Sequence, residues 1–168
     1  MTTAFVAILM GSDSDLPVME ASFEILKKFD IPFEVKVTSA HRTPAATHSY
    51  VTDADARGCA AFICAAGMAA HLAGAVSANT LKPVIGVPIN GSLDGLDALL
   101  STVQMPGGIP VATVAIGKAG AKNAAYLAAQ IMGVADASMH AKLVKERADN
   151  AALIIAKDAA LQERLNNG

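Results

Sequence analysis

Five short strand-like segments, each followed by a stretch with helical spacing, constrain the fold of this chain more than any other feature. The segments lie at 4–10, 33–37, 60–65, 83–89 and 110–116. The first segment is a continuous apolar run, which is typical of a strand buried on both faces of a sheet. Strands that alternate with helices imply parallel pairing, right-handed crossovers and helices on both faces. The sequence therefore predicts an α/β fold with three layers and a doubly wound parallel sheet of about five strands.

Local signals predict where the first two helices begin. After the first segment, Ser14 or Asp15 can cap a helix that has Pro17 in its first turn. After the second segment, Thr43 is the expected N-cap and Pro44 the first-turn residue. Apolar side chains recur every three or four positions along the first helix, at Leu16, Met19, Phe23 and Leu26. Each helix is therefore expected to leave its strand through a short turn.

The carboxy-terminal stretch 136–167 is predicted to form one further helix, with apolar residues spaced among charges at Met139, Leu143, Leu153 and Leu161. No linker precedes it, so we expect it to pack on this chain or on a neighbouring subunit. A chain of 168 residues can bury roughly 70% of the surface that its unfolded form would expose. Residues 1–168 are therefore predicted to form a single domain.

Charge and hydropathy exclude several classes of partner. The formal net charge is −2 with both signs scattered along the chain, which argues against nucleic acid and anionic membranes as partners. The segment 60–78 contains no acid, lysine or arginine, but its alanines, glycines and His71 favour a strand, a turn and a helix over a membrane span. The 53% hydrophobic content indicates subunit interfaces in addition to a core.

Two further patterns bear on location and on metals. The amino terminus lacks the charged region and apolar core of a signal peptide, so we expect a cytoplasmic protein. Cys59 and Cys64 show neither C-x-x-C spacing nor paired histidines of the metal-ligand type. They are interpreted as small buried thiols, and no metal site is predicted.

Polar residues gather in three of the predicted strand-to-helix turns, "GSDSD" (11–15), "SAHRTP" (39–44) and "AAGMAAHLAG" (65–74). In a parallel sheet these turns share one edge, where ligands bind. Ser12 and Ser14 can donate hydroxyls to an anion, while Asp15 can accept from a sugar hydroxyl or cap its helix. The second and third glycines of a dinucleotide fingerprint are missing, which argues against a pyrophosphate held in that way.

The two other turns contribute histidines and an arginine. Arg42 suits a phosphate through its guanidinium fork, and His41 can transfer protons near neutral pH. The alternatives are an arginine paired with a surface acid and a histidine bonded to a backbone carbonyl. His71 is expected about one turn into the third helix, either facing the same pocket or serving as a satisfied core residue. His48 is interpreted as a surface residue.

Several stretches together resemble the bacterial N5-carboxyaminoimidazole ribonucleotide mutase family of purine biosynthesis. They are "MGSDSD", "SAHRTP", "GMAAHLAG", "PVIGVPI", "VQMPGGIPVATVAIG" and "GAKNAAYLAAQI", in this order over nearly the whole chain. The resemblance implies a flavodoxin-like fold, a homo-octamer, and transfer of a carboxylate on an aminoimidazole ribonucleotide without metal or organic cofactor. The third motif departs from the family pattern, which often has glycine and proline where this chain has Ala65, Met68 and Ala73.

The resemblance also implies roles for individual residues. His41 matches the catalytic acid and base of the family, and Ser12, Asp15 and Arg42 match residues that contact substrate. Pocket-lining residues of the family are matched by Ser39, Gly67 and His71.

Three other functions are alternatives to this one. Direct carboxylation of the aminoimidazole ribonucleotide by carbon dioxide is the activity of the animal-type branch, whose motifs fit less well than those of the mutase branch. A phosphorylatable receiver needs an aspartate at the end of the third strand, where this chain has Cys64 and Ala65. A plain nucleotide-binding or structural protein is the remaining alternative if the histidines are inert.

Overall fold

The computed structural model describes residues 4–167 and contains a parallel sheet of five strands in the order β2-β1-β3-β4-β5. Its strands are β1 (Phe5–Met10), β2 (Phe33–Val37), β3 (Cys59–Gly67), β4 (Val84–Ile89) and β5 (Ala112–Thr113). Its helices are α1 (Leu16–Lys28), α2 (Pro44–Ala56), α3 (Leu72–Ser77), α4 (Leu96–Val103), α5 (Gly117–Gly133) and α6 (Ala137–Asn166). The predicted α/β fold with a doubly wound parallel sheet is confirmed.

Strand β1, which lies between β2 and β3, is buried on both faces, and this explains its uninterrupted apolar sequence. Alternate side chains of a strand point to opposite faces. Val6, Ile8 and Met10 belong to a core that includes side chains of α1 and α5. Phe5, Ala7 and Leu9 belong to a second core that includes side chains of α2 and α3. The sheet is therefore the middle of three layers.

Strand β5 is shorter than the sequence predicts. Only Ala112 and Thr113 pair with β4, whereas the predicted strand covered 110–116. Pro110 cannot donate a ladder hydrogen bond, which delays the start of the strand. At the other end the Ala115 carbonyl turns onto the first turn of α5, so close that a Cβ built on Gly120 would lie 1.6 Å from its oxygen. The strand is thus limited by a proline before it and a tight helix contact after it.

The first half of α6 packs against the rest of the chain, and its second half does not. The Asp136 side chain caps the helix by accepting from Ser138 and Met139 N–H groups. Glu146 is buried, pairs with Lys28 of α1 and accepts a hydrogen bond from the Tyr126 hydroxyl at 2.8 Å. Every residue from 147 to 167 is exposed. The predicted helix is confirmed, and its packing on this chain is limited to the first half.

The long apolar segment 60–78 belongs to the sheet and to the helix that follows. Residues 60–78 form β3, a turn and α3, as predicted. Between residues 4 and 167 no helix is both long enough and apolar enough to cross a membrane. Cys59 and Cys64 are buried in β3, and burial raises the pKa of the Cys59 thiol to about 11. Their interpretation as buried thiols is confirmed.

Candidate active site

The neighbouring strands β1 and β3 lead to helices on opposite faces of the sheet, and a cavity of about 570 Å³ opens where they end. A crevice is expected at such a switch point, because the two connections diverge there. Turns that follow β1, β2, β3 and β4 line it. All the site residues that the sequence predicts lie on this cavity, namely Ser12, Asp15, Ser39, His41, Arg42, Gly67 and His71.

The turn after β1 is closed by reciprocal hydrogen bonds. The Ser12 N–H donates to the Asp15 carboxylate at 3.2 Å, and Ser12 Oγ accepts from the Ser14 N–H at 3.2 Å. This capping box belongs to a short 3₁₀ turn at Asp13–Asp15. Asp15 then occupies the N-cap position of α1 without a side-chain cap bond. Both serines and Asp15 therefore stand at the cavity in a fixed arrangement.

Asp15 is a carboxylate held mostly away from water. Its residue is only 6% exposed. Burial raises the pKa of Asp15, and hydrogen bonds from Ser12 and Ser14 counteract part of the effect. A carboxylate of this kind is a strong hydrogen-bond acceptor, because it has lost part of its hydration.

The turn after β2 is a closed loop that presents His41 and Arg42. The Thr43 N–H donates to the Ser39 carbonyl at 2.9 Å. Thr43 occupies the N-cap position and Pro44 begins α2, as predicted. The Thr43 hydroxyl, however, does not cap the helix. It accepts from the Ser39 N–H at 2.9 Å, and so it closes the loop.

Arg42 reaches the end of β1. One of its guanidinium nitrogens donates to the Gly11 carbonyl at 3.3 Å. Among residues 4–167 no carboxylate lies within ion-pair distance of Arg42, so the alternative of a surface acid as its partner is wrong. The exposed guanidinium retains donors for an anion beside Ser12.

His41 and His71 form a direct hydrogen bond across the cavity. His41 Nε2 lies 2.7 Å from His71 Nδ1, and the ring planes are 87° apart. One of these nitrogens carries the hydrogen and the other accepts it. Between residues 4 and 167 no backbone carbonyl is bonded to the His41 ring, in contrast to the alternative, and the exposed His71 is not a core residue.

The position of His71 in its helix differs from the prediction. The structure places it at the N-cap of α3, with φ −85° and ψ −6°, and not one turn into the helix. The cause is the preceding turn, where Met68 has φ 56°. A left-handed residue interrupts the backbone, so α3 begins later than the apolar sequence suggests.

Sequence reasoning missed the contribution of the turn after β4. Asn90, Gly91 and Ser92 line the cavity together with the exposed side chain of Met68. A signal for the first three was present, because they follow directly on a predicted strand and so belong to the same edge of the sheet. Met68 was noted only as a departure from the family pattern.

Comparisons with known proteins agree with the geometry. A family model described as AIR carboxylase matches residues 5–161. The N5-carboxyaminoimidazole ribonucleotide mutase of Mycobacterium tuberculosis H37Rv is 54% identical over 158 residues, which is 94% of this chain and 90% of that protein. The phosphoribosylaminoimidazole carboxylase of Saccharomyces cerevisiae is 54% identical over 144 residues, 85% of this chain but 25% of that protein.

Structural similarity points the same way. The crystal structure of Treponema denticola PurE has a TM-score of 0.85 and 33% identity, covering 94% of this chain and 98% of that one. Its fold is flavodoxin-like, as the resemblance implies for this chain. The resemblance that the motifs indicate is thereby confirmed. With a family model that spans nearly all of it and relatives at this level of identity, the chain belongs to the AIR carboxylase family.

Proposed function

We propose that this chain is an N5-carboxyaminoimidazole ribonucleotide mutase of de novo purine biosynthesis. It would move a carboxylate from the exocyclic nitrogen N5 to the ring carbon C4 of an aminoimidazole ribonucleotide. The observation that carries the proposal is the juxtaposition of an imidazole, an exposed guanidinium and a buried carboxylate on one cavity, in His41, Arg42 and Asp15. Membership of the family and the names of its relatives support the choice of reaction.

Substrate binding is assigned to the first two turns. Arg42 and Ser12 would hold the phosphate, because both line the cavity and the guanidinium already reaches Gly11, the residue before Ser12. Asp15 would accept hydrogen bonds from the ribose hydroxyls. Binding energy from the phosphate holds the aminoimidazole ring of the substrate in place during the reaction. Ser39, Gly67 and His71 would complete the pocket around the base.

The reaction is proposed to proceed by loss and recapture of carbon dioxide. The N5–carboxylate bond breaks while His41 protonates N5, which gives carbon dioxide and the aminoimidazole. C4 then attacks the carbon dioxide, and His41 removes the proton that C4 carried. One imidazole can serve both steps, because it gives a proton in the first and takes one in the second. Confinement in the cavity keeps the carbon dioxide close to C4.

The decisive experiment replaces His41 with asparagine. We expect His41→Asn to bind the nucleotide within a few fold of the wild-type affinity while turnover is lost. The matched control is His48→Asn, since His48 is an exposed histidine of α2 bonded to Asn79. Turnover by His41→Asn at the rate of the control would remove His41 from the mechanism.

A second candidate activity is direct carboxylation of the aminoimidazole ribonucleotide. The name of the yeast relative favours it. The purified protein should be assayed with the carbamate substrate and, separately, with the uncarboxylated nucleotide plus bicarbonate. Faster product formation from the carbamate supports the mutase, and faster formation from nucleotide and bicarbonate supports the carboxylase.

We further propose that the protein is a cytoplasmic homo-octamer built from one-domain chains. Exposed apolar side chains along α4 and in the turn before it support self-association, namely Leu93, Leu96, Leu100 and Val103. The last three follow helical spacing and form one face. In the proposed assembly, a second copy of this chain covers that face.

A further inference from the structure

Three threonine hydroxyls form a cluster directly beneath the loop that carries His41. Thr38 Oγ1 lies 2.7 Å from Thr47 Oγ1 and 3.2 Å from Thr43 Oγ1. Thr38 follows the last residue of β2, and Thr47 lies in the first turns of α2. Both are buried, at 4% and 2% exposure. The cluster therefore joins the two ends of the loop from inside the protein.

The cluster is also fixed to the neighbouring strand and to the loop itself. The Thr38 N–H donates to the Met10 carbonyl at 2.9 Å, at the end of β1. The Thr43 hydroxyl accepts from the Ser39 N–H. Ser39 Oγ in turn accepts from the Arg42 N–H at 3.1 Å. A continuous set of hydrogen bonds thus leads from the end of β1 through the cluster to the backbone beside His41.

Hydrogen counting shows that the cluster tolerates the loss of one member. Four contacts require a hydroxyl hydrogen: Thr38 with Thr47, Thr38 with Thr43, Thr47 with the Thr43 carbonyl, and Thr43 with the Ser39 carbonyl. Three hydroxyls supply only three hydrogens. Valine at position 47 removes one hydrogen and two contacts, so the remaining two contacts have two donors. Such a change leaves no hydroxyl without a partner.

Resting on the proposed role of His41, we propose that the Thr47 and Thr38 hydroxyls are positioning groups for catalysis. Neither residue lines the cavity, so neither is expected to touch the substrate. Their bond sets the separation between the end of β2 and the start of α2. That separation determines where the loop holds the His41 ring. Small errors in the position of an acid-base group reduce the rate strongly, whereas Arg42 keeps its separate bond to Gly11.

The test compares three variants on the same helix. Thr47→Val removes the hydroxyl with little change of shape, and Thr47→Ser keeps the hydroxyl but removes a buried methyl group. Thr52→Val is the matched control, because in the described part of the chain the exposed Thr52 hydroxyl bonds only the His48 carbonyl one turn back. We expect kcat of Thr47→Val to fall about tenfold, with KM unchanged within about twofold. Thr47→Ser should keep most of the wild-type kcat.

Melting temperatures separate positioning from stability. Loss of the buried methyl should make Thr47→Ser less stable than Thr47→Val, so the order of stability should be opposite to the order of activity. Thr38→Val provides a second variant with the same expected loss of kcat. If Thr47→Val and Thr52→Val have equal kcat values, or if activity follows melting temperature across the series, the inference is wrong. Retained turnover in His41→Asn would instead remove His41 from the proposed mechanism.

Discussion

His41 Nε2 and His71 Nδ1 lie 2.7 Å apart although the two residues are separated by 30 positions in the chain. They follow β2 and β3, which are not neighbours in the sheet because β1 lies between them. The two rings therefore meet over the end of β1, beside the turn that holds Ser12. Crossover connections on either side of β1 are what bring the rings together.

This contact predicts different outcomes for two substitutions of His71. Asparagine can place a polar atom near the position of Nδ1, whereas leucine cannot. We expect His71→Leu to lower kcat about tenfold, because His41 loses its orienting partner, and His71→Asn to retain most of the activity. Steady-state kinetics of both variants measure the effect. Wild-type kcat in His71→Leu would show that turnover does not use the contact.

Arg42 is expected to contribute mainly to binding. Hydrogen bonds to a charged group are worth about 2 kcal/mol, which corresponds to about 30-fold in affinity. Arg42→Gln should therefore raise the dissociation constant of the nucleotide by about this factor, as calorimetry would measure. The exposed Arg147 of α6 lies outside the proposed site, and Arg147→Gln serves as the control. Equal affinities in the two variants would contradict the assignment of Arg42 to the phosphate.

Removal of the buried charge of Asp15 is expected to raise stability and to weaken nucleotide binding. Because its pKa is raised above 3.8 in the folded protein, the folded protein keeps a proton that the unfolded chain releases as the pH rises past 3.8. The free energy of unfolding therefore falls as the pH rises through that window. Asp15→Asn should raise the melting temperature at pH 7 by about 2 °C, lose this advantage below pH 3.8, and weaken nucleotide binding.

The neighbouring exposed residue gives the control for this prediction. Asp13→Asn changes the charge in the same turn without altering a buried group. Thermal unfolding of both variants should be recorded from pH 3 to pH 8. A melting temperature of Asp15→Asn below that of wild type at neutral pH would contradict the argument from burial.

The contribution of Glu146 to the free energy of unfolding has the opposite pH dependence. Its hydrogen bonds with Lys28 and Tyr126 lower the pKa of Glu146 below its ordinary value of 4.5. Its contribution to stability is therefore present above pH 4.5 and is lost as the pH falls through the folded pKa. Lys28 is half exposed, so we expect Glu146→Gln to cost only about 1 kcal/mol and about 3 °C in melting temperature. The loss of stability in Glu146→Gln relative to wild type should become smaller in acid. The control Glu163→Gln, at an exposed position, should show no such loss.

The exposed face of α4 predicts a change of assembly. A charge at Leu100, which is 50% exposed, would be buried in any interface that covers this face. Leu100→Glu should therefore reduce the mass of the particle measured by light scattering. Thr52→Glu adds the same charge to an exposed position of α2 and should leave the mass unchanged. An intact octamer in Leu100→Glu would exclude this face as an interface.

The fold could be predicted because its signals are local. Apolar runs such as 4–10, of which 5–10 are buried, become internal strands, and their alternation with helical stretches allows few topologies. The turns that follow parallel strands share one edge of the sheet. This rule predicts that the three polar turns lie together, without knowledge of any distance. Asn90, Gly91 and Ser92 were missed although the same rule applies to them.

The errors lie where distant parts of the chain or unusual backbone conformations decide. The length of β5 depends on the contact of the Ala115 carbonyl with Gly120, which no local pattern reveals. The start of α3 depends on the left-handed conformation of Met68, which methionine seldom adopts. The Thr43 hydroxyl was expected to cap its helix, and it bonds instead to the loop and to the threonine cluster.

The burial of Cys59 and Cys64 in β3 has a practical consequence. Thiol reagents act on exposed thiolates, and these two side chains are neither exposed nor readily ionised. The native protein should thus not react with maleimides. A cysteine introduced at an exposed position such as Ser92 would carry a fluorophore or spin label as the single reactive group, so that ligand-dependent motion beside the cavity could be followed without deleting any natural residue.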